Sequence, residues 1–257
     1  MFAAEVRFPL LRSARKCDSA DVLESLIFLY HHNGQISTVE WPSAVSGGTL
    51  RVFVSIPERT SLRRRTNRWV RQCRRRLRGA GLGLPRILVL GEEPESSPVC
   101  ECRSCRSYIL HTEAYSCESP VRCGTCFGVI PLYRLPPTND YGSYDNTVRW
   151  RANYQAYDGL WFRTRGAQEK HAYRQLAHVD SALSREGRAV CRAIEQGTRR
   201  RTYYYLFRYS GRSRERELAS TCASCGRAWR LDKPWHEEFD FRCERCRLVS
   251  AIACDVR

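Results

Sequence analysis

Two stretches of this chain space their cysteines alike. Cys102-x2-Cys105 is followed after seventeen residues by Cys123-x2-Cys126, and Cys222-x2-Cys225 after another seventeen by Cys243-x2-Cys246. Two residues between cysteines let both thiolates, and neighbouring backbone amides, converge on one ion. A spacer of about 15–20 residues lets a short hairpin bring a second pair to it. The pattern predicts two four-thiolate zinc ribbons, each holding one structural Zn2+. Four thiolates leave no coordination position for water, so hydrolytic chemistry at the metal is not expected. A segment of about 40 residues buries too little surface to fold unaided, and roughly 10–16 kcal/mol of zinc binding energy offsets that shortfall.

Other cysteines lie nearby. Cys100 and Cys117 are close enough in sequence to replace a ligand of the first site, although the x2 spacing repeated in all four pairs favours Cys102 with Cys105. Disulfides need an oxidising compartment, and a thioredoxin-like site would place a lone Cys-x-x-Cys at a strand-to-helix junction. Cys17, Cys73, Cys191 and Cys254 have no partner at metal spacing and read as buried thiols acting as small hydrophobes.

The charge points to a partner. Of 257 residues, 43 are basic and 27 acidic, a formal net charge of +16, and only Lys16, Lys170 and Lys233 are lysines. Such an excess attracts polyanions: nucleic acid, DNA or RNA, comes first, an acidic partner protein second, and a plain solvated arginine surface is the competing account. The arginines concentrate at Arg59, Arg63, Arg64, Arg65, Arg68, Arg71, Arg74, Arg75, Arg76 and Arg78. A helix with an apolar stripe of Leu62, Trp69, Val70, Cys73 and Leu77 would hold them as a cationic strip, whose like charges repel until an anion relieves them. Arg199, Arg200 and Arg201 precede "TYYYLFRY", where Tyr203, Tyr205, Phe207 and Tyr209 share one face. Aromatics beside arginines can stack single-stranded bases, but the same ladder is ordinary cross-strand packing. No run of about 18 apolar residues could span a membrane, and "MFAAEVRFPLLRSARK" lacks the unbroken apolar stretch of a secretory signal, so a cytoplasmic location is expected.

The periodicities predict an α+β chain. In residues 1–92, "AEVRFPL", "QISTVEWP", "TLRVFVSIP" and "RILVLG" read as strands. "SADVLESLIFLYHHNG" reads as a helix capped by Ser19 and stopped at Gly34, and "ERTSLRRRTNRWVRQCRRRLRGAG" as a second helix. The order βαββαβ is that of a ferredoxin-like sandwich. Residues 98–135 form the first zinc ribbon. Residues 142–198 form a helical segment, with Trp150, Tyr154, Tyr157 and Trp161 on one face as core. Residues 199–257 form a β-hairpin turning at "SGRS" and the second ribbon, over which Trp229, Trp235 and Phe241 pack.

"PLYRLP", "WRANYQAYDGLW", "SALSREGRAVC", "TYYYLFRYSG" and "CASCGRAWRLDKPWHEEFDFRCERCRLVS" together resemble a bacterial family of unknown function, described as zinc-ribbon-containing with nucleic-acid binding as its suggested role. The resemblance covers most of the chain. It implies zinc and a cytoplasmic setting and supplies no catalytic residue. The residues agree: His31, His32, His111, His171, His178 and His236 form no His-Glu-x-x-His motif, no Walker or Rossmann loop is present, and His178-x-Asp180 and His236-Glu237-Glu238 are pairs that chance supplies. The chain is therefore expected not to be an enzyme.

Overall fold

A computed structural model describes residues 1–11 and 16–256, with side chains of the first helix described from Ser19 onward. The expectation for Cys17 lies outside the described side chains. The chain divides into two compact units. The first comprises Met1–Val99, Cys117–Ser119 and Val129–Asp145, and the second Cys100–Ser116, Pro120–Gly128 and Asn146–Arg257. The stretch 98–135, expected as one ribbon domain, is shared between them.

The first unit contains β1 (Phe2–Pro9), α1 (Lys16–His32), β2 (Ser43–Ser46), β3 (Thr49–Ile56), α2 (Arg68–Arg76) and β4 (Arg86–Glu92). The strands form an antiparallel sheet in the order β2-β3-β1-β4, the ferredoxin-like arrangement of βαββαβ. Alternation along β1 and β3 sends Ala4, Val6, Phe8, Val52, Val54 and Ile56 into one core with Leu26, Ile27 and Tyr30 of α1 and Val70 and Cys73 of α2. On the opposite alternation, Glu5 is buried and paired with Arg7 at 2.8 Å and Arg51 at 3.4 Å.

Several local expectations are corrected in this unit. "QISTVEWP" makes no strand: the strand that pairs with β3 is Ser43–Ser46, in the stretch expected to turn, and Gln35 points its amide inward to hold a neighbouring loop. The long arginine helix is broken into a 3-10 turn at Ser61–Arg63 and the nine-residue α2, because Asn67 caps α2 by accepting the Val70 amide at 2.9 Å. Trp69, expected in the buried stripe, is 41% exposed beneath the Arg68 guanidinium. Ser19 lies inside α1, donating its hydroxyl to the Ala80 carbonyl at 2.7 Å instead of capping.

The second unit contains β5 (Ser107–Leu110), β6 (Val121–Cys123), α3 (Asp145–Arg163, which starts at the unit boundary), α4 (Ala167–Ala177), α5 (Ala182–Thr198), β7 (Arg201–Tyr205), α6 (Arg214–Leu218), β8 (Arg230–Trp235), β9 (Phe239–Cys243) and β10 (Leu248–Ser250). One six-stranded sheet runs β6-β5-β7-β10-β9-β8, with β7 parallel to both β5 and β10. The hairpin expected at "SGRS" is absent. β7 ends at Tyr205, Ser213 caps the short helix α6 by accepting the Arg216 amide, and the buried Glu217 carboxylate binds the Arg208 guanidinium. A strand pairing backwards is thus replaced by a strand joining the two cysteine-bearing hairpins.

The helices cover this sheet through tight packing at one point. Trp150, Tyr154 and Tyr204 are buried, and a Cβ at Gly187 of α5 would stand 2.2 Å from Tyr204 Cε2 and 2.6 Å from Trp150 Nε1. Alanine at an ordinary helical glycine stabilises by about 1 kcal/mol. Here overpacking of two buried rings outweighs that gain, and Gly187→Ala is expected to destabilise by about 1–3 kcal/mol. A thermal midpoint that rises in this variant would contradict the packing.

Candidate functional site: two thiol clusters and an arginine cleft

Both thiol clusters lie in the second unit. The sulfurs of Cys222, Cys225, Cys243 and Cys246 all lie within 4.8 Å of one another, and so do those of Cys100, Cys102, Cys123 and Cys126. A tetrahedron with metal–sulfur bonds of about 2.3 Å has sulfur–sulfur edges of about 3.8 Å, and Cys225 and Cys243 stand 3.7 Å apart. Both donor sets suit a soft divalent ion such as zinc, and no cysteine among the described residues is in a disulfide. In the first set Cys100 takes the place expected for Cys105, which lies outside the closed group with its sulfur 3.8 Å from that of Cys100. Cys117, the other alternative, is exposed and belongs to the first unit.

Backbone amides point at several of these sulfurs. Thr125 N–H points at Cys123 Sγ (3.3 Å), Gly128 N–H at Cys126 Sγ (3.4 Å) and Cys246 N–H at Cys243 Sγ (3.4 Å). The Arg227 amide draws the Cys225 thiol down to about 7. Burial opposes ionisation at Cys123, but the amides of Cys126 and Thr125 hold it at about 7 as well. Burial pushes Cys222 up to about 12. Each cluster therefore already contains a thiol poised to ionise near neutrality, the form that binds metal. Sequence spacing located the clusters but not this amide scaffold.

The arginine strip is resolved into two parts. Arg63, Arg64, Arg65, Arg68 and Arg71 line a cleft of about 710 Å³ in the first unit, together with Asn33, Thr66, Asn67, Tyr141 and Tyr144, and Asp140 is the one acid in its lining. Two buried amides that follow α1 shape this loop. Gln35 Nε2 donates to the carbonyls of Ser61 (2.8 Å) and Arg64 (3.0 Å), and Asn33 Nδ2 to that of Arg65 (2.9 Å). With their backbone held from inside, the guanidiniums of Arg63, Arg64 and Arg65 are exposed. Glu58 anchors the flanking segment: Arg134 donates to it at 2.6 Å and Tyr133 at 2.5 Å, and these bonds overcome its burial to keep the carboxyl below its usual range. No ion pair among the described residues involves the five cleft arginines. Arg74, Arg75, Arg76 and Arg78 fall outside the cleft lining, and Arg59 pairs with Glu92 at 3.6 Å and covers Phe2.

The second arginine group, Arg199, Arg200 and Arg201, belongs to the other unit. There Arg199 ends α5 with φ 56°, Arg200 donates to Ser104 Oγ at 3.3 Å, and Arg201 pairs with Glu244 at 3.0 Å. The aromatic ladder beside it is core only in its first half, Tyr209 being 40% exposed. Tyr203 and Tyr205 are buried with Ile109, Phe239 and Val249, while Phe207 and Tyr209 pack on Trp161. Trp229 stacks on Phe241 at 5.1 Å, and Trp235 meets Tyr203 edge-on.

The fold and clusters define a mixed α+β protein with two sheets and two tetracysteine groups compatible with zinc ribbons. Along the chain, the models described as Domain of unknown function match in three stretches: DUF8589 over residues 1–91, DUF2310 over 102–207 and DUF8594 over 211–256. A Haemophilus influenzae protein described as "Uncharacterized protein" is 30% identical over 262 residues, covering 98% of each chain. The chain belongs to the same family as that protein. A second Haemophilus influenzae protein with the same description is 34% identical over 166 residues, covering 64% of this chain and 80% of its own. A solved structure from Deinococcus radiodurans, described as a "putative antibiotic biosynthesis monooxygenase", covers 39% of this chain and 99% of its own at 12% identity and a TM-score of 0.26, a likeness too slight to carry any reading of function. No described helix is long and apolar enough to cross a membrane.

Proposed function

We propose that this protein is a non-enzymatic, zinc-stabilised nucleic-acid-binding protein whose principal binding surface is the arginine cleft of the first unit. The observation that carries the reading is the convergence of Arg63, Arg64, Arg65, Arg68 and Arg71 on one cleft of about 710 Å³ with a single acid in its lining. Guanidiniums fork onto phosphate oxygens, and a cluster of them without compensating carboxylates gains most from a ligand that brings several negative charges at once. A sugar-phosphate backbone does this, and the exposed Tyr141 ring at the rim offers a base a stacking surface. The thiol cluster of Cys222, Cys225, Cys243 and Cys246 serves as scaffold, and neither cluster would have an open coordination position once filled with four thiolates.

Neutralising about five phosphates predicts a slope of log K against log salt between about −3 and −5 for a short oligonucleotide. Binding that is insensitive to salt, or absent at low salt, contradicts the reading. The rival occupant is an acidic protein. A pull-down at moderate salt after nuclease treatment should lose its partners if nucleic acid is the ligand, whereas one acidic protein surviving that treatment would replace this reading.

A further inference from the structure

Five thiols surround the first centre, and the backbone sorts them. In a cysteine knuckle the amide after the second cysteine folds back onto the carbonyl of the first. Phe127 N–H donates to Cys123 O at 2.8 Å, and Gly226 N–H to Cys222 O at 2.8 Å. The amide of the first cysteine in turn donates one residue further on, Cys123 to Gly128 O and Cys222 to Arg227 O, both at 2.9 Å. The residue after the second cysteine is left-handed in three pairs, with φ of 60° at Phe127, 67° at Gly226 and 54° at Arg247.

None of these marks is found around Cys102 and Cys105. Arg106 N–H donates to Thr125 Oγ1 at 3.1 Å instead of returning to Cys102, and Arg106 is not among the described residues of positive φ. Cys100 has what Cys105 lacks. It is buried, its sulfur accepts the Cys102 amide at 3.4 Å, and it completes the group closed within 4.8 Å. Gly128 makes room for it, since a Cβ there would stand 3.0 Å from Cys100 Cα and 3.2 Å from Cys126 Sγ. Cys105 remains alongside, its sulfur one tetrahedral edge, 3.8 Å, from that of Cys100.

We propose that Cys100, Cys102, Cys123 and Cys126 hold the first ion, and that Cys105 is a fifth, incoming thiolate that makes this centre exchangeable, unlike the centre of Cys222, Cys225, Cys243 and Cys246. The exchange conserves ligands and charge. Cys105 would give its proton to solvent as it joins the ion, the resident thiolate it displaces would take up a proton, and no oxidant or reductant would take part. A centre of this kind passes a soft divalent ion such as zinc to and from an outside thiolate or chelator, because an incoming ligand lets each resident bond break without leaving the ion under-coordinated.

The test uses the full chain reconstituted with zinc, native mass spectrometry to count ions during an EDTA challenge, and alkylation mapping of the cysteines. Wild type should hold two ions and lose one well before the other, with Cys105 the first of the five thiols alkylated. Cys105→Ser should still hold two and lose the first more slowly. Cys100→Ser should lose its first ion faster than wild type, since Cys105 can take the vacant place only from a half-buried position and without the Cys102 amide, and its retained second ion shows that the unit has folded. The opposite pattern, faster loss of the first ion from Cys105→Ser and slower loss from Cys100→Ser than from wild type, overturns the assignment. Equal release of both ions from wild type, or an unchanged rate in Cys105→Ser, overturns the exchange role, and a wild type that takes up no zinc overturns both.

Discussion

Replacing Cys222 with serine is expected to remove one metal ion per chain and to unfold the β8-β9-β10 end of the second sheet. Structural zinc contributes roughly 10–16 kcal/mol at neutral pH, against about 5–15 kcal/mol for the whole stability of a domain, so this end of the sheet should not survive without it. The damage should spread inward, because Cys243 ends β9 and pairs with Leu248 of β10, which lies in register with Tyr204 of β7. Chelator on the wild type should reproduce the loss. Acid should too: metal binding displaces protons from thiols such as Cys222, pushed up to about 12 by burial, so falling pH favours the protonated, metal-free state. Zinc content and thermal unfolding read the result. A Cys222→Ser protein with two ions, or with an unchanged transition, would rule out a structural ion there.

The triple variant Arg64→Ala, Arg65→Ala, Arg68→Ala is expected to weaken oligonucleotide binding by about a hundredfold or more at low salt and to flatten the salt slope by about three units, one for each phosphate left without its guanidinium. All three side chains are exposed and none supports the core, so the thermal midpoint should stay near that of wild type. The matched control is Arg74→Ala, Arg75→Ala, Arg76→Ala, which removes the same charge from the same helix region outside the cleft lining. If the control weakens binding as much as the cleft variant, general charge and not the cleft holds the ligand, and the proposed surface is wrong.

In the first unit β1, β3 and α1 were legible because half-buried elements write their periods into the chain: Ala4, Val6 and Phe8 alternate, and Leu23, Leu26, Ile27 and Tyr30 recur at helical steps, whereas β2, exposed along its whole length, lies at Ser43–Ser46 and not in the stretch expected for it. The second sheet was not legible. Its defining feature, β7 parallel to strands on both sides, depends on partners far away in sequence and leaves no local signature. "TYYYLFRYSGRS" therefore suggested the nearest available pairing, a hairpin, while the turn residues in fact lead to the cap of α6. The cysteine spacing located both clusters, yet the regular x2 rhythm pointed to Cys105. What distinguishes Cys100 is where Arg106, Phe127 and Gly226 place their amides, which cysteine spacing does not encode. The arginine cleft was visible as charge and invisible as shape, because Asn33 and Gln35, which hold its loop from within, look like ordinary polar residues after a helix.

The central position of β7 also dictates an order of assembly. During synthesis β5 emerges first, must wait until residues 201–205 for its parallel neighbour, and β7 in turn presents a bare edge until Leu248–Ser250 arrive more than forty residues later. Long-range parallel pairing is slow, and an open edge recruits whatever strand is nearest. A chain stopped between Tyr205 and Leu248 would thus be a hazard to its neighbours more than a smaller working protein, expected to stick to other nascent chains through the very strand that should unite its two cysteine-bearing hairpins.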